Sequence, residues 1–180
     1  MSTDAPQFLS PDSFLKDLHI EERMRIAEFG AGSGYIIFKV GELVGQKGCV
    51  YALDIQKSVI SHLKDEITHR GTQNITPIWT NIELLGHNPV KNNELDMVLV
   101  VNMLFQSSKY KNIMEEAKRE LKPGGEIVII DWKKQSAPFG PPLEHRVDLE
   151  KLKRIAYSLE LNKIREFEPG QYHFGIVFRK

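Results

Sequence analysis

Seven residues, Glu28-Phe29-Gly30-Ala31-Gly32-Ser33-Gly34, set an acid before three glycines at alternate positions, directly after the strand-like run Met24-Arg25-Ile26-Ala27. A second apolar run, Cys49 to Leu53, ends in Asp54, 20 residues beyond Gly34. Gly30 allows a sharp turn out of the strand, Gly32 lets a ligand approach closely, and Gly34 lets the following helix start pack near the sheet. Unpaired N–H groups at a helix start favour a carboxylate or phosphate. The glycines alone therefore fit a dinucleotide and a sulfonium nucleoside equally. Spacing separates the two, because the dinucleotide fingerprint needs its third glycine at position 35, where Tyr35 stands. Glu28 would also repel a pyrophosphate, whereas it suits a ligand with an ammonium group. Asp54 suits ribose hydroxyls, although a lone acid after a strand also fits a helix N-cap, here for a helix starting near Gln56. Ile55 and Ile82 could sandwich an adenine, with Asn81 on its amino edge.

These residues need a scaffold that brings strand ends together. Ser10-Pro11 starts a short helix with Phe14, Leu15 and Leu18. From there, strand-like runs alternate with helix-like stretches. Ile26 to Phe29 leads into a helix from about Gly34 to Val44, and Val50 to Leu53 into one carrying Val59, Leu63 and Ile67. Ile75 to Trp79 is a third strand and Leu95 to Val101 a fourth, apolar enough to be buried on both faces, with a polar loop over 81–93 between them. Ile113, Ala117 and Leu121 share one face of a fourth helix that ends at Pro123-Gly124-Gly125, before a fifth strand from Glu126 to Trp132. Pro138, Gly140, Pro141 and Pro142 break up 133–147, and Leu149 to Leu159 is a fifth helix. Lys163 to Phe167 and Tyr172 to Phe178 form a closing hairpin around Pro169-Gly170-Gln171. Such alternation gives a parallel sheet with helices on both faces, closed by an antiparallel strand, and ligands bind beyond the carboxyl ends of its strands.

The chain's 180 residues suit one domain, 1–180, with 1–22 an N-terminal helical lid segment and 23–180 the core. No apolar run is long enough for a membrane-spanning helix. A single cysteine, Cys49, excludes an intramolecular disulfide and a thiolate metal cluster. With the polar start from Met1 to Gln7, this points to a cytoplasmic protein. Net charge is zero, with a small acidic excess up to residue 132 and a basic one after it, so a strongly basic duplex-binding face is not expected. Scattered histidines, His19, His62, His69 and His87, lack ligand spacing, and no metal site is expected.

Nearly the whole chain resembles a class I S-adenosylmethionine-dependent methyltransferase. The family's first motif matches Glu28 to Gly34, its second-strand acid Asp54, and its fourth strand Leu95 to Asn102. Leu121-Lys122-Pro123-Gly124-Gly125-Glu126 resembles the entry to its fifth strand. The resemblance implies a three-layer α/β/α sandwich with a seven-stranded, mostly parallel sheet of order 3-2-1-4-5-7-6, strand 7 antiparallel. It implies S-adenosylmethionine as methyl donor and S-adenosylhomocysteine as product, held by Glu28, Phe29, Gly30, Ala31, Gly32, Gly34, Asp54, Ile55, Asn81, Ile82 and Asn102. The helix from Met114 to Leu121 and the Pro-Gly-Gly turn look most like the small-molecule branch typified by quinone-biosynthesis enzymes. Asn81 stands where the family commonly has an acid. Asn102-Met103-Leu104-Phe105 replaces the motif of enzymes that methylate base amines, which disfavours that chemistry.

In this topology Tyr172 and His173 lie beside Asp131 and Trp132, and His145 and Arg146 could fold over the same opening. His173, Asp131, Asn102 and His145 are therefore the candidate catalytic residues, the first as a base where the acceptor is a hydroxyl or carbon acid. A lone His at a strand start is as a rule structural. A compact small-molecule acceptor is favoured. RNA or protein acceptors, and a catalytically silent binding module on the same fold, stay open; no membrane partner is expected.

Overall fold

A computed structural model describes residues 9–180, so residues 1–8 of the expected lid segment lie outside the described residues. Seven strands form one sheet in the order β3-β2-β1-β4-β5-β7-β6. They are β1 (Arg25–Phe29), β2 (Cys49–Asp54), β3 (Ile75–Trp79), β4 (Leu95–Val101), β5 (Leu121–Trp132), β6 (Asn162–Gly170) and β7 (His173–Arg179). The β1–β5 pairings are parallel, whereas β7 runs antiparallel to both β5 and β6. The expected strand order and direction are observed.

Two apolar layers explain the near-continuous hydrophobicity of the central strands. Val98 and Val100 of β4 face α4 (Tyr110–Glu120) and α5 (Leu149–Ser158), packing with Ile113, Ala117 and Leu152. Met97, Leu99 and Val101 alternate to the other face, covered by α1 (Pro11–Lys16), α2 (Tyr35–Val44) and α3 (Lys57–Arg70) through Phe14, Ile37 and Leu63. Each fully buried Leu, Val or Phe side chain contributes about 1.5–3 kcal/mol, so both faces of β4 are committed to the core.

Three local expectations change. Leu121 belongs to β5, where it pairs with Leu95; the chain leaves the helix at Glu120 because Pro123 disfavours helical backbone at Lys122. Pro123-Gly124-Gly125 then sits inside a register shift of β5 instead of ending α4. In the closing hairpin, Pro169 and Gly170 still belong to β6, and the turn falls at Gln171-Tyr172.

Candidate functional site

A cleft of about 580 Å³ opens at the carboxyl ends of β1, β2 and β4, where the strand order reverses. The glycine loop forms its floor. Gly34, the N-cap of α2, has φ +81°, and a Cβ there would lie 2.5 Å from Leu63 Cδ2, so both backbone and packing require glycine. Gly32, at φ +49°, has nothing within 4 Å of its Cβ position. Gly34 is thus held by helix packing and Gly32 opens onto the cleft.

Asp54 joins the two motifs. Its Oδ2 accepts the Gly32 N–H at 3.1 Å and its Oδ1 the Gln56 N–H at 2.9 Å. The N-cap of α3 is Gln56, so the N-cap alternative for Asp54 does not apply. Each carboxylate oxygen keeps a second lone pair for a ligand hydroxyl.

Glu28 lines the cleft, is only 2% exposed, and its Oε2 has no partner among the described residues. Burial, reinforced by the Asp54 charge, pushes its pKa well above the usual carboxylate range. Asn102, at the end of β4, also lines the cleft; its φ is +50° and its Oδ1 is buried without a partner among the described residues. A buried unpaired oxygen costs about 1–3 kcal/mol. Two of them beside one cleft invite a ligand with several hydrogen-bond donors.

The adenine-side candidates gather at the same opening. Ile55 is 58% exposed and Ile82 buried, and both line the cleft with Asn81. Asn81 Oδ1 accepts the Glu83 N–H at 3.0 Å, so one of its lone pairs is engaged. Trp79 Nε1 donates to the Ile55 carbonyl at 2.8 Å and fixes that backbone. Ala31 and Gly30 line the cleft as well, but Phe29 does not: it is fully buried in the core, fixing the strand end behind the loop.

Of the four catalytic candidates, Asn102 alone lines the cleft. Asp131 is fully buried, and its carboxylate accepts the Trp132 N–H at 2.8 Å and the Phe105 N–H at 3.3 Å. Burial raises its pKa to about 6 against the pull of those backbone donors. His173 stacks on Trp132 at 4.3 Å, and burial, then Arg146 and Lys133, lower its pKa to about 4. Its Nε2 lacks a partner among the described residues. His145 is exposed in a short 3-10 turn, Leu143–His145.

His173 and Arg146 do come together, on the Trp132 ring, but as a brace. Arg146 is buried, lies over the Trp132 ring at 5.3 Å, and donates to the carbonyls of Pro141 (3.0 Å), Phe139 (3.1 Å) and Gln135 (2.5 Å). It gathers the proline-broken 133–147 segment around itself. Among the described residues, no group of three or more His, Cys, Asp or Glu could hold a metal ion, and no helix is long and apolar enough to cross a membrane.

The sequence reasoning missed Ser33, Gln56, Glu83, Met103, Gln106 and Ser107, which also line the cleft. The first two adjoin recognised motifs, and that adjacency was the available signal. The other four sit on loops whose meeting depends on the strand order.

Comparison with known proteins agrees with this geometry. The family described as "Methyltransferase domain" matches residues 20–166. The chain is 31% identical over 116 residues to a ubiquinone/menaquinone biosynthesis C-methyltransferase UbiE of Wigglesworthia glossinidia brevipalpis, covering 64% of this chain and 45% of that protein. It is 27% identical to the aklanonic acid methyltransferase DauC of a Streptomyces species, covering 66% and 53%. The chain thus spans about half the length of the curated relatives it matches. A solved S-adenosylmethionine-dependent methyltransferase of Aquifex aeolicus superposes with a TM-score of 0.87 at 27% identity, covering 95% of this chain and 89% of that one. On motif, strand order and family match together, the chain belongs to the methyltransferase-domain family and has the class I fold.

Proposed function

We propose that the protein transfers a methyl group from S-adenosylmethionine to a compact small-molecule acceptor, leaving S-adenosylhomocysteine. The observation that carries the reading is the pair of unpartnered buried oxygens, Glu28 Oε2 and Asn102 Oδ1, lining the cleft beside the glycine loop. An ammonium group would give both oxygens the donors they lack. Asp54 suits ribose hydroxyls, Ile55 and Ile82 suit the faces of adenine, and open space at Gly32 suits a close-lying ligand. The residues present therefore fit the donor that the family implies.

When bound, that donor supplies a methyl group on a sulfonium, an electrophile that already carries its leaving group. The protein's work is then alignment and exclusion of water more than acid–base chemistry. The glycine loop, braced by Asp54, holds the donor side. Asn102 presents its amide where donor and acceptor meet. Burial favours the neutral form of the Glu28 carboxyl, and an ammonium group beside it would favour the carboxylate. Leu9, Pro11, Tyr35, Ile36 and Met103 give one part of the cleft an apolar lining, beside the polar Glu83, Gln106 and Ser107. Such a lining suits a small, mostly apolar acceptor, in keeping with relatives named for quinone biosynthesis and for aklanonic acid.

Incubation with S-adenosylmethionine labelled at the methyl group and fractionated extract tests this. Label is expected in the small-molecule fraction. Label in RNA or protein would overturn the acceptor class, and no labelled product from any fraction would favour a binding module.

A further inference from the structure

One side chain ties together the two loops that border the adenosine end of the cleft. Glu83 lies on the loop after β3, and Ser107 and Lys109 follow β4. The Ser107 hydroxyl donates to Glu83 Oε1 at 2.6 Å, and Lys109 Nζ lies 3.3 Å from Oε2. Asn112 Nδ2 donates to the Glu83 carbonyl at 3.1 Å, and Ser107 Oγ in turn accepts the Lys109 N–H at 3.0 Å. On its other side, the Glu83 N–H donates to Asn81 Oδ1.

Strands β3 and β4 are not neighbours, since β2 and β1 stand between them. Direct strand pairing therefore does not set the distance between their following loops. The Glu83 side chain helps to, at the cleft end, while the Gly86 N–H and the Asn88 amide donate to Glu116 of α4 farther along the same loop, and both Glu83 and Ser107 line the cleft themselves. The Ser107 hydrogen bond, followed by Lys109, holds the Glu83 carboxyl below its usual range and so keeps it charged for the ion pair.

We infer that the Glu83 side chain is a positioning residue for the methyl donor, a strap across the cleft that restrains the adenosine end from opening. This rests on the S-adenosylmethionine reading above. Glu83 acts through Ser107 and Lys109, so its loss should weaken the donor complex by loosening the two loops.

Calorimetric titration of the full chain with S-adenosylhomocysteine tests it, using wild type, Glu83→Ala, Glu83→Gln, Ser107→Ala and the Glu83→Ala/Ser107→Ala pair, each with a thermal melt. Asp54→Ala serves as control. Glu83→Ala should weaken binding about tenfold. Glu83→Gln keeps an acceptor for Ser107 but loses the charge facing Lys109, so it should fall between wild type and Glu83→Ala. The double variant should lose less than the product of the two single effects, because coupled residues are non-additive. The inference is overturned if Glu83→Ala stays within about twofold of wild type, whatever its melting temperature, or if the two single effects multiply in the pair. Wild type that does not bind, or an Asp54→Ala variant that binds as wild type does, would instead bring down the donor reading on which the inference rests.

Discussion

Two clusters of buried polar residues stand at the same end of the sheet, and they differ in what they leave unfinished. At the Trp132 end of β5, the Asp131 carboxylate oxygens accept backbone N–H groups and the Arg146 guanidinium, lying over Trp132, meets backbone carbonyls. At the glycine loop, Glu28 and Asn102 each keep a buried oxygen without a partner among the described residues, and both residues line the cleft. Both clusters contain acids with raised pKa values, so a perturbed acid alone does not identify a site. The useful difference is where the missing partner would have to come from. His173 Nε2 also lacks a partner among the described residues, but its ring packs on Trp132 away from the cleft.

The largest effect that could break this contrast is expected from Gly32→Val. A β-branched residue at φ +49°, with its side chain entering the ligand space, should weaken S-adenosylmethionine about a hundredfold or more in a calorimetric titration. The fold should survive, because no protein atom lies within 4 Å of the new Cβ. Undiminished binding would remove the glycine loop from the site.

Asp131→Asn probes the other cluster. An amide brings two N–H donors to a place where backbone N–H groups need acceptors, so about 2 kcal/mol of stability should be lost. Thermal melts should show a fall of several degrees, with donor affinity within about threefold of wild type. A large loss of affinity would instead make that cluster part of the site.

Glu28→Gln should act in opposite directions on binding and stability. A carboxyl whose folded pKa is raised contributes most stability below its unfolded pKa, and that contribution is lost as pH rises through the folded value. Glutamine cannot ionise, so the variant without ligand should melt higher than wild type in mildly alkaline buffer, and the difference should vanish in acid. Donor affinity should fall about tenfold. The proton released on binding by wild type, read by titrating in buffers of different ionisation enthalpy, should disappear.

The smallest effect on methyl transfer belongs to His173. Its folded pKa of about 4 lies below the usual histidine value, so the unfolded chain binds more protons between the two. Stability is fully present above pH 6.5 and is lost as pH falls towards 4, by up to about 1.4 kcal/mol per pH unit. His173→Phe should flatten that slope in melts across the window while leaving methyl transfer at neutral pH intact. Abolished transfer would restore His173 as a catalytic residue.

The strand-helix alternation and the glycine loop were legible because both are written in local signals: alternating apolar runs, glycines at fixed offsets, and an acid at a strand end; the sheet order followed only from the family resemblance that those motifs carry. Asp54 was legible for the same reason, although its bond to the Gly32 N–H crosses 22 positions of sequence. Glu83 and Ser107 were not, because their hydrogen bond joins loops whose meeting requires the order 3-2-1-4 to be in place. Arg146 was read as a possible cover for the opening. Its partners are main-chain carbonyls, which every residue carries, so no side-chain pattern announces them.

The central claim is that the cleft at the glycine loop holds S-adenosylmethionine and that the Asp131 cluster does not. Calorimetric titration of S-adenosylhomocysteine into wild type, Asp54→Ala and Asp131→Asn tests it most directly. Saturable binding by wild type, lost in Asp54→Ala and kept in Asp131→Asn, is the predicted result. No binding by wild type, or equal loss in both variants, would contradict it.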